Sequence, residues 1–401
     1  MKRLFLLLML ASMAMASSCD CCNCKKKTAL LDLEKMQAAD SVLNEAIAQG
    51  RMPGAVLAVV VDGETAYMKA YGNRSVFPDT LPMTVETVFD MASCSKCIGT
   101  TMSMMQLMEH GGFRLGDNVD MYIPGFRNWV DPETGEETPI TIYDLLTHAS
   151  GLPSYVSPDV VIAKCGVDDP DSLMNYIAQM PRLYKPKQDF TYSCLNFITL
   201  QNILQKITGK KLCDYATENI FKPLDMNHTC YNPAANNNEE VMALVAPTEK
   251  KDSTSCFLGE VHDPLARVMN HGNSGNAGVF SCAEDLCNLA KCYMNQGNFN
   301  GKQILSRITY KKMISIPAGY EHLGHAIGWD LCSSYTGTRG EVFTFDKTIN
   351  HTGYTGTAFV LDTENNVAVI LLSNRVHPID GDGIMRCRAL VSNIVAGAVL
   401  Q

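Results

Sequence analysis

Short β-rich runs stand at both ends of this 401-residue chain, with a long helical stretch between them. Near the start, residues 55–61 and 64–71 meet at Asp62-Gly63, a pair that accepts the positive φ of a two-residue hairpin turn. Near the end, residues 344–350, 356–361 and 367–372 have the same character, with Glu364-Asn365-Asn366 as the turn between the last two. Helical spacing frames both groups. Residues 29–50 place Leu31, Leu33, Met36, Ala39, Val42, Leu43 and Ile47 on one face before Gly50, and residues 384–400 form a closing helix. Strands at both ends with helices between point to one sheet made from both termini. The expected fold is α+β: an antiparallel sheet from both chain ends, flanked by helices, with an inserted mainly helical region.

The insertion has its own punctuation. A helical pattern over residues 91–109 stops at Gly111-Gly112, a short one over 142–146 runs into Thr147-His148-Ala149-Ser150-Gly151-Leu152-Pro153, and one over 195–207 ends at Gly209. A further helix over 281–294 opens with Ser281 and Glu284 in capping-box relation. These signals divide residues 31–401 into an α/β part, about 31–90 and 325–401, and a helical part, about 91–324. With 46% hydrophobic and 19% charged residues, a chain of this length can bury a substantial core.

The first residues read as a processing signal. Lys2 and Arg3 precede the apolar run 4–10 and then Ala14-Met15-Ala16, the order of a secretory signal over residues 1–16, too short to span a bilayer. Residues 17–30 follow as a Cys- and Lys-rich tether, and export to the periplasm or the exterior is the expectation. Processing before Cys19 would instead leave a lipid anchor on that cysteine, although Ala16-Ser17-Ser18 lacks the Leu of a bacterial lipobox. Twelve of the sixteen cysteines are scattered and read as small buried hydrophobes. The net charge of -9, with Lys25-Lys26-Lys27 as the one concentrated cationic patch, argues against nucleic acid and for a small-molecule or peptide substrate.

Chemistry enters at Phe89-Asp90-Met91-Ala92-Ser93-Cys94-Ser95-Lys96. In a helix starting near Ser93, residues three apart share a face, so the Lys96 amine can meet the Ser93 hydroxyl. A serine hydroxyl is a weak nucleophile until a neighbour takes its proton, and a desolvated amine can do so. Ser-x-x-Lys alone is common on solvated helices, so the reading needs partners. Tyr192 in Phe190-Thr191-Tyr192-Ser193-Cys194 stands just before a helix. His351-Thr352-Gly353-Tyr354 opens a late strand whose glycine admits close backbone approach and whose free edge can pair with an extended substrate.

Taken together and in this order, these pieces resemble the serine β-lactamase and penicillin-binding-protein superfamily, in the branch of class C β-lactamases, D-Ala-D-Ala carboxypeptidases and related esterases. The resemblance runs from about residue 40 to 400. Phe89 to Lys96 matches its first motif, Leu145 to Pro153 its Leu-Leu-Thr-His-Thr-Ser-Gly-Leu-Pro loop, and Thr191-Tyr192-Ser193 its tyrosine motif. Gly275-Asn276-Ala277-Gly278-Val279-Phe280-Ser281 is similar to its glycine-rich segment, His351-Thr352-Gly353 takes the place of Lys-Thr-Gly, and Asn374-Arg375-Val376-His377-Pro378 resembles a stretch after the last strand. The resemblance implies a hydrolase cleaving an amide or ester (a cell-wall D-Ala peptide, a β-lactam or a small ester) through an acyl-enzyme on Ser93. Lys96 and Tyr192 would share the proton transfers, the tyrosine with its pKa drawn down by Lys96. The backbone N–H groups of Ser93 and Tyr354 would form the oxyanion hole. It implies no cofactor, and a substrate that in the cell-wall branch is peptidoglycan-derived.

Two departures bear on substrate. The family carries Asn or Asp where this chain has Cys194, a poor hydrogen-bonder, and His351 replaces a fixed cation with a group neutral over much of the physiological range. Cys194, His351, Thr352, Gly353 and Tyr354 are the expected substrate-binding residues. An impaired receptor or sensor, acylated without efficient turnover, is the alternative these departures raise. His148 reads as part of its loop. His262-Asp263 reads equally as a second polar pair near the site or a turn element. A metal site from His148, His262, His271 and His351 lacks any short-spaced ligand pair, so no metal is expected.

Overall fold

The computed structural model describes residues 30–236, 238–333, 335, 337–381 and 383–400. The expected signal over 1–16, Cys19 and nearly all of the tether lie outside the described residues. No helix among the described residues is long and apolar enough to cross a membrane.

The main sheet is built from both ends of the chain. Its six strands run in the spatial order Thr348–Thr352, Ala358–Asp362, Val367–Ser373, Gly54–Val61, Glu64–Val76 and Thr80–Pro82, with antiparallel neighbours. Gly54–Val61 pairs with Val367–Ser373 from Ala55↔Ser373 to Val61↔Val367, which closes the two termini into one body. The hairpin turn lies at Asp62 (φ 49°) and Gly63 (φ 79°), where its sequence placed it.

Gly54–Val61 is buried along its whole length, because the sheet is covered on both faces. Its side chains alternate between two cores. Ala55, Leu57, Val59 and Val61 pack with Leu43 and Val391 of the terminal helices Leu33–Ala48 and Met385–Ala398, while Val56, Ala58 and Val60 join the core of the helical region. Each fully buried Val or Leu contributes about 1.5–3 kcal/mol of transfer free energy, so this strand ties both layers to one another.

A second sheet of Phe89–Asp90, Val279–Ser281 and Cys230–Tyr231 anchors the helical region. It overturns one expectation. The late helix spans Ala283–Met294 with Cys282 as N-cap, and no Ser281–Glu284 capping box forms. Ser281 is spent as a strand residue: it pairs with Phe89, and its Oγ lies 2.8 Å from Thr229 Oγ1.

Candidate active site

Ser93, the nucleophile expected from sequence, stands where the small sheet ends. Asp90, fully enclosed, accepts the Ala92 N–H on Oδ1 at 2.8 Å and the His262 N–H on Oδ2 at 2.7 Å. The first of these bonds holds Ala92 at φ 45°, a left-handed conformation unusual for a residue with a Cβ, and so turns Ser93 toward the cleft. The regular helix expected from Ser93 onward is absent. A 3₁₀ turn over Ala92–Cys94 passes into a π-helical stretch, Lys96–Thr101, and only then into the α-helix Met102–Glu109. Side-chain anchors compete with the regular ladder here, since Ser95 Oγ accepts the Val279 N–H at 3.0 Å.

The expected meeting nevertheless occurs. Lys96 Nζ, entirely buried, lies 3.0 Å from Ser93 Oγ and 2.8 Å from the Asn276 carbonyl oxygen, which it uses as a tether. It also lies 3.6 Å from Cys194 Sγ. The glycine-rich segment thus serves to hold the lysine at the serine.

Tyr192 closes the site from the other side. Its ring lies 5.0 Å from Lys96 Nζ, and among the described residues no hydrogen bond ends on its buried hydroxyl. Burial, reinforced by Cys194 and Tyr335, pushes the phenol well above its ordinary range, only partly offset by Ser93. This reverses the expected lowering by Lys96: Lys96 Nζ faces the ring, and the resting phenol is neutral. His148 supports the tyrosine from behind. It sits at φ 59° after the short helix Ile142–Leu146, its ring centroid is 4.5 Å from that of Tyr192, and its Nδ1 accepts the Ser193 N–H at 3.0 Å. Burial holds His148 neutral, as an acceptor requires.

The third wall is the loop after Thr348–Thr352, the edge strand of the main sheet. Thr355 Oγ1 donates to the Asp90 carbonyl at 2.7 Å and Thr357 Oγ1 to the Met91 carbonyl at 3.1 Å. Buried Arg388 braces the loop by donating to the carbonyls of Gly353 (3.0 Å) and Thr357 (2.9 Å). Gly353 passes so close that a Cβ would stand 2.1 Å from Thr357 Oγ1 and 2.5 Å from the Met91 carbonyl oxygen. Ser93 and Tyr354 therefore belong to one bolted block.

These walls enclose a cleft of about 670 Å³, lined by Ser93, Tyr192, Cys194, Thr352, Gly353 and Tyr354 among the residues expected from sequence. Besides the enclosed Lys96, His351 is the exception. It is buried, packs 5.9 Å from the Tyr192 ring centroid and places Nδ1 3.0 Å from the Thr352 carbonyl oxygen. Burial, with Lys96 and His325 adding to it, pushes its pKa down to about 3, so it supports the site as a neutral ring rather than facing substrate.

Sequence reasoning missed the residues supplied by distant segments. Arg375, Asp380 and Arg388 also line the cleft, with Arg375 Nη1 2.5 Å from Asp380 Oδ1 and Tyr354 Oη 2.5 Å from Asp380 Oδ2. Opposite them, His262 Nε2 lies 2.7 Å from Glu249 Oε2 and its ring stacks 5.8 Å from that of Tyr354. Arg375 stood in a recognised motif, whereas nothing in the closing helix marked Arg388. His262 and Asp263 both line the cleft, and Asp263 also caps the helix Pro264–Met269, so both alternatives for that pair hold.

Comparison with known proteins gives the family and the fold. The family described as beta-lactamase matches residues 39–390. An N-acetylmuramyl-L-alanine amidase of Bacillus subtilis (strain 168) is 29% identical over 377 residues, covering 88% of this chain and 83% of its own. A protein of Escherichia coli (strain K12) named as a D-alanyl-D-alanine carboxypeptidase is 28% identical over 367 residues, covering 86% of this chain and 83% of its own. Among solved structures, EstCE1, a hydrolase with promiscuous acyltransferase activity, superposes with a TM-score of 0.69 at 21% identity, covering 90% of this chain and 99% of that one. The octameric penicillin-binding protein homologue from Pyrococcus abyssi gives 0.65 at 24% identity, with 91% and 76% covered, and shows the same fold. The chain belongs to the beta-lactamase family and is a serine hydrolase of the β-lactamase and penicillin-binding-protein type.

Proposed function

We propose that this protein is exported and cleaves an amide bond in peptidoglycan-derived peptides through an acyl-enzyme on Ser93. The observation that carries the reading is the buried Lys96 amine 3.0 Å from the Oγ of Ser93, which lines a cleft edged by Thr352–Tyr354. Ser93 Oγ bonds to the carbonyl carbon while its proton passes to Lys96 Nζ. The tetrahedral oxyanion is met by the backbone N–H groups of Ser93 and Tyr354, each typically contributing about 3 kcal/mol. Collapse breaks the carbonyl–nitrogen bond. The neutral Tyr192 phenol, whose ring lies beside Lys96, gives its proton to the departing nitrogen and regains one from Lys96. Water then repeats the sequence on the ester and frees Ser93. The names of the bacterial relatives support an amide of cell-wall origin.

Cys194 favours a second reading, a receptor acylated without efficient turnover, because a thiol orders a substrate amide poorly. The two readings separate in one experiment on the purified protein. Incubation with muropeptides and D-Ala-D-Ala peptides is expected to give steady release of the amine product, abolished in Ser93→Ala. A single stoichiometric burst without further release would establish the receptor.

A further inference from the structure

Three carboxylates line the cleft: Glu249, Asp263 and Asp380. Glu249 is engaged by His262, and Asp380 by Arg375 and Tyr354. Asp263 differs from both. Its Oδ1 accepts the Ala266 N–H at 2.7 Å and Asn276 Nδ2 at 3.3 Å, and among the described residues neither a hydrogen bond nor an ion pair ends on Oδ2. The cations on that wall are committed elsewhere. Arg267 sends Nη1 to the carbonyls of Val261 and His262 and lies 4.1 Å from the Phe257 ring centroid, and Lys96 is held by Ser93 and Asn276. The charge is felt in the cleft, where Asp263 reinforces the burial that raises the Tyr155 phenol and the Cys194 thiol. Cys194 cannot supply a strong acceptor, so Asp263 is the strong acceptor on this wall.

We infer that Asp263 is the specificity-determining residue of the cleft and recognises a substrate ammonium group through Oδ2. The inference rests on the reading of the cleft as a Ser93 acylation site. The substrate class becomes a peptide amide carrying a primary ammonium, either the α-amino group of the acyl residue or a side-chain amine further along. A carboxylate already fixed by two bonds to Oδ1 meets such a group without reorganising, and removing one partner of a charge-assisted hydrogen bond changes binding roughly ten- to hundredfold.

The test measures protection of Ser93 from a fluorophosphonate by matched ligand pairs. One arm compares D-alaninamide with propionamide, the other Nα-acetyl-lysinamide with Nα-acetyl-norleucinamide. In the wild type, the ammonium ligand of one pair is expected to protect at least about tenfold more tightly than its neutral isostere, and that pair identifies the source of the ammonium. Asp263→Asn keeps an oxygen for the Ala266 N–H and removes the charge, so the ratio within the pair is expected to fall to about one. Ratios are taken within each protein, so a general loss of reactivity does not move them. Equal protection within both pairs in the wild type overturns the inference, as does a preference that survives in Asp263→Asn. Labelling that does not map to Ser93 overturns the acylation reading instead.

Discussion

At Cys194 a thiol occupies the first position of the helix Cys194–Thr208, 3.6 Å from Lys96 Nζ. Burial pushes that thiol up, with Lys96 opposing, so the resting cleft presents a neutral, weakly polar sulfur. A carboxamide there would accept from Lys96 and donate to a substrate carbonyl. Cys194→Asn is therefore expected to raise nitrocefin acylation about tenfold while leaving Lys96 tethered to Asn276; an unchanged rate would show that Cys194 does not limit β-lactam recognition. Ser93, Lys96 and Tyr192 were legible at this scale because the chemistry needs those residue types and the chain keeps them in short motifs. The role of His351 was not, because burial against Tyr192 is invisible in a tripeptide and reverses what a histidine at the mouth of a cleft would do.

At the scale of elements, the Ser93 turn and the loop at 353–357 are bonded into one piece, and Asp90 is its junction. Both of its carboxylate oxygens accept backbone N–H groups, from Ala92 and His262, and its own carbonyl accepts from Thr355. Asparagine offers one acceptor and would point an NH₂ group at the other N–H. Asp90→Asn is expected to cost about 2–3 kcal/mol in urea unfolding and to lower kcat about a hundredfold with KM little changed, because the Ser93 turn and the backbone at Tyr354 lose their common anchor. A kcat within threefold of wild type would show that the turn keeps its shape without Asp90. Sequence periodicity located the two terminal helices, those at 142–146 and 195–207, and the hairpin, which local pattern determines, but not helices of the insertion such as Pro158–Cys165 and Pro170–Gln179. It mistook the start of the Lys96 stretch and the cap at Ser281, where tertiary partners such as Val279 and Thr229 replace the local bonds that capping rules assume.

The whole molecule joins its termini through Gly54–Val61 and Val367–Ser373, and that closure was readable from β-rich runs at both ends. What the runs could not show is how many titratable groups the closed structure buries. His148, His325, His351 and His377 are all lowered, chiefly by burial. A histidine depressed in the fold binds its proton first in the unfolded chain. Its contribution to stability is complete above the unfolded value of about 6.5 and is lost as pH falls toward the folded value, about 3 for His351. Buried Asp90, Asp144 and Asp285, raised by burial, act with the opposite sign and shallow the slope. The urea midpoint is expected to be level between about pH 7 and 8 and to fall steadily from about pH 6 to 4, each histidine contributing up to about 1.4 kcal/mol per pH unit. A midpoint that rises over that acid range would mean that the carboxyls dominate.

The acyl-enzyme itself is the most direct measurement. The wild type and Ser93→Ala are incubated with a fluorophosphonate and with a fluorescent penicillin, and the adduct is located by peptide mass spectrometry. The geometry of Lys96 and Ser93 predicts a single adduct on Ser93 that is absent from Ser93→Ala. Labelling that persists in the variant, or maps to another residue such as Cys194, would contradict the assignment of Ser93 as the nucleophile.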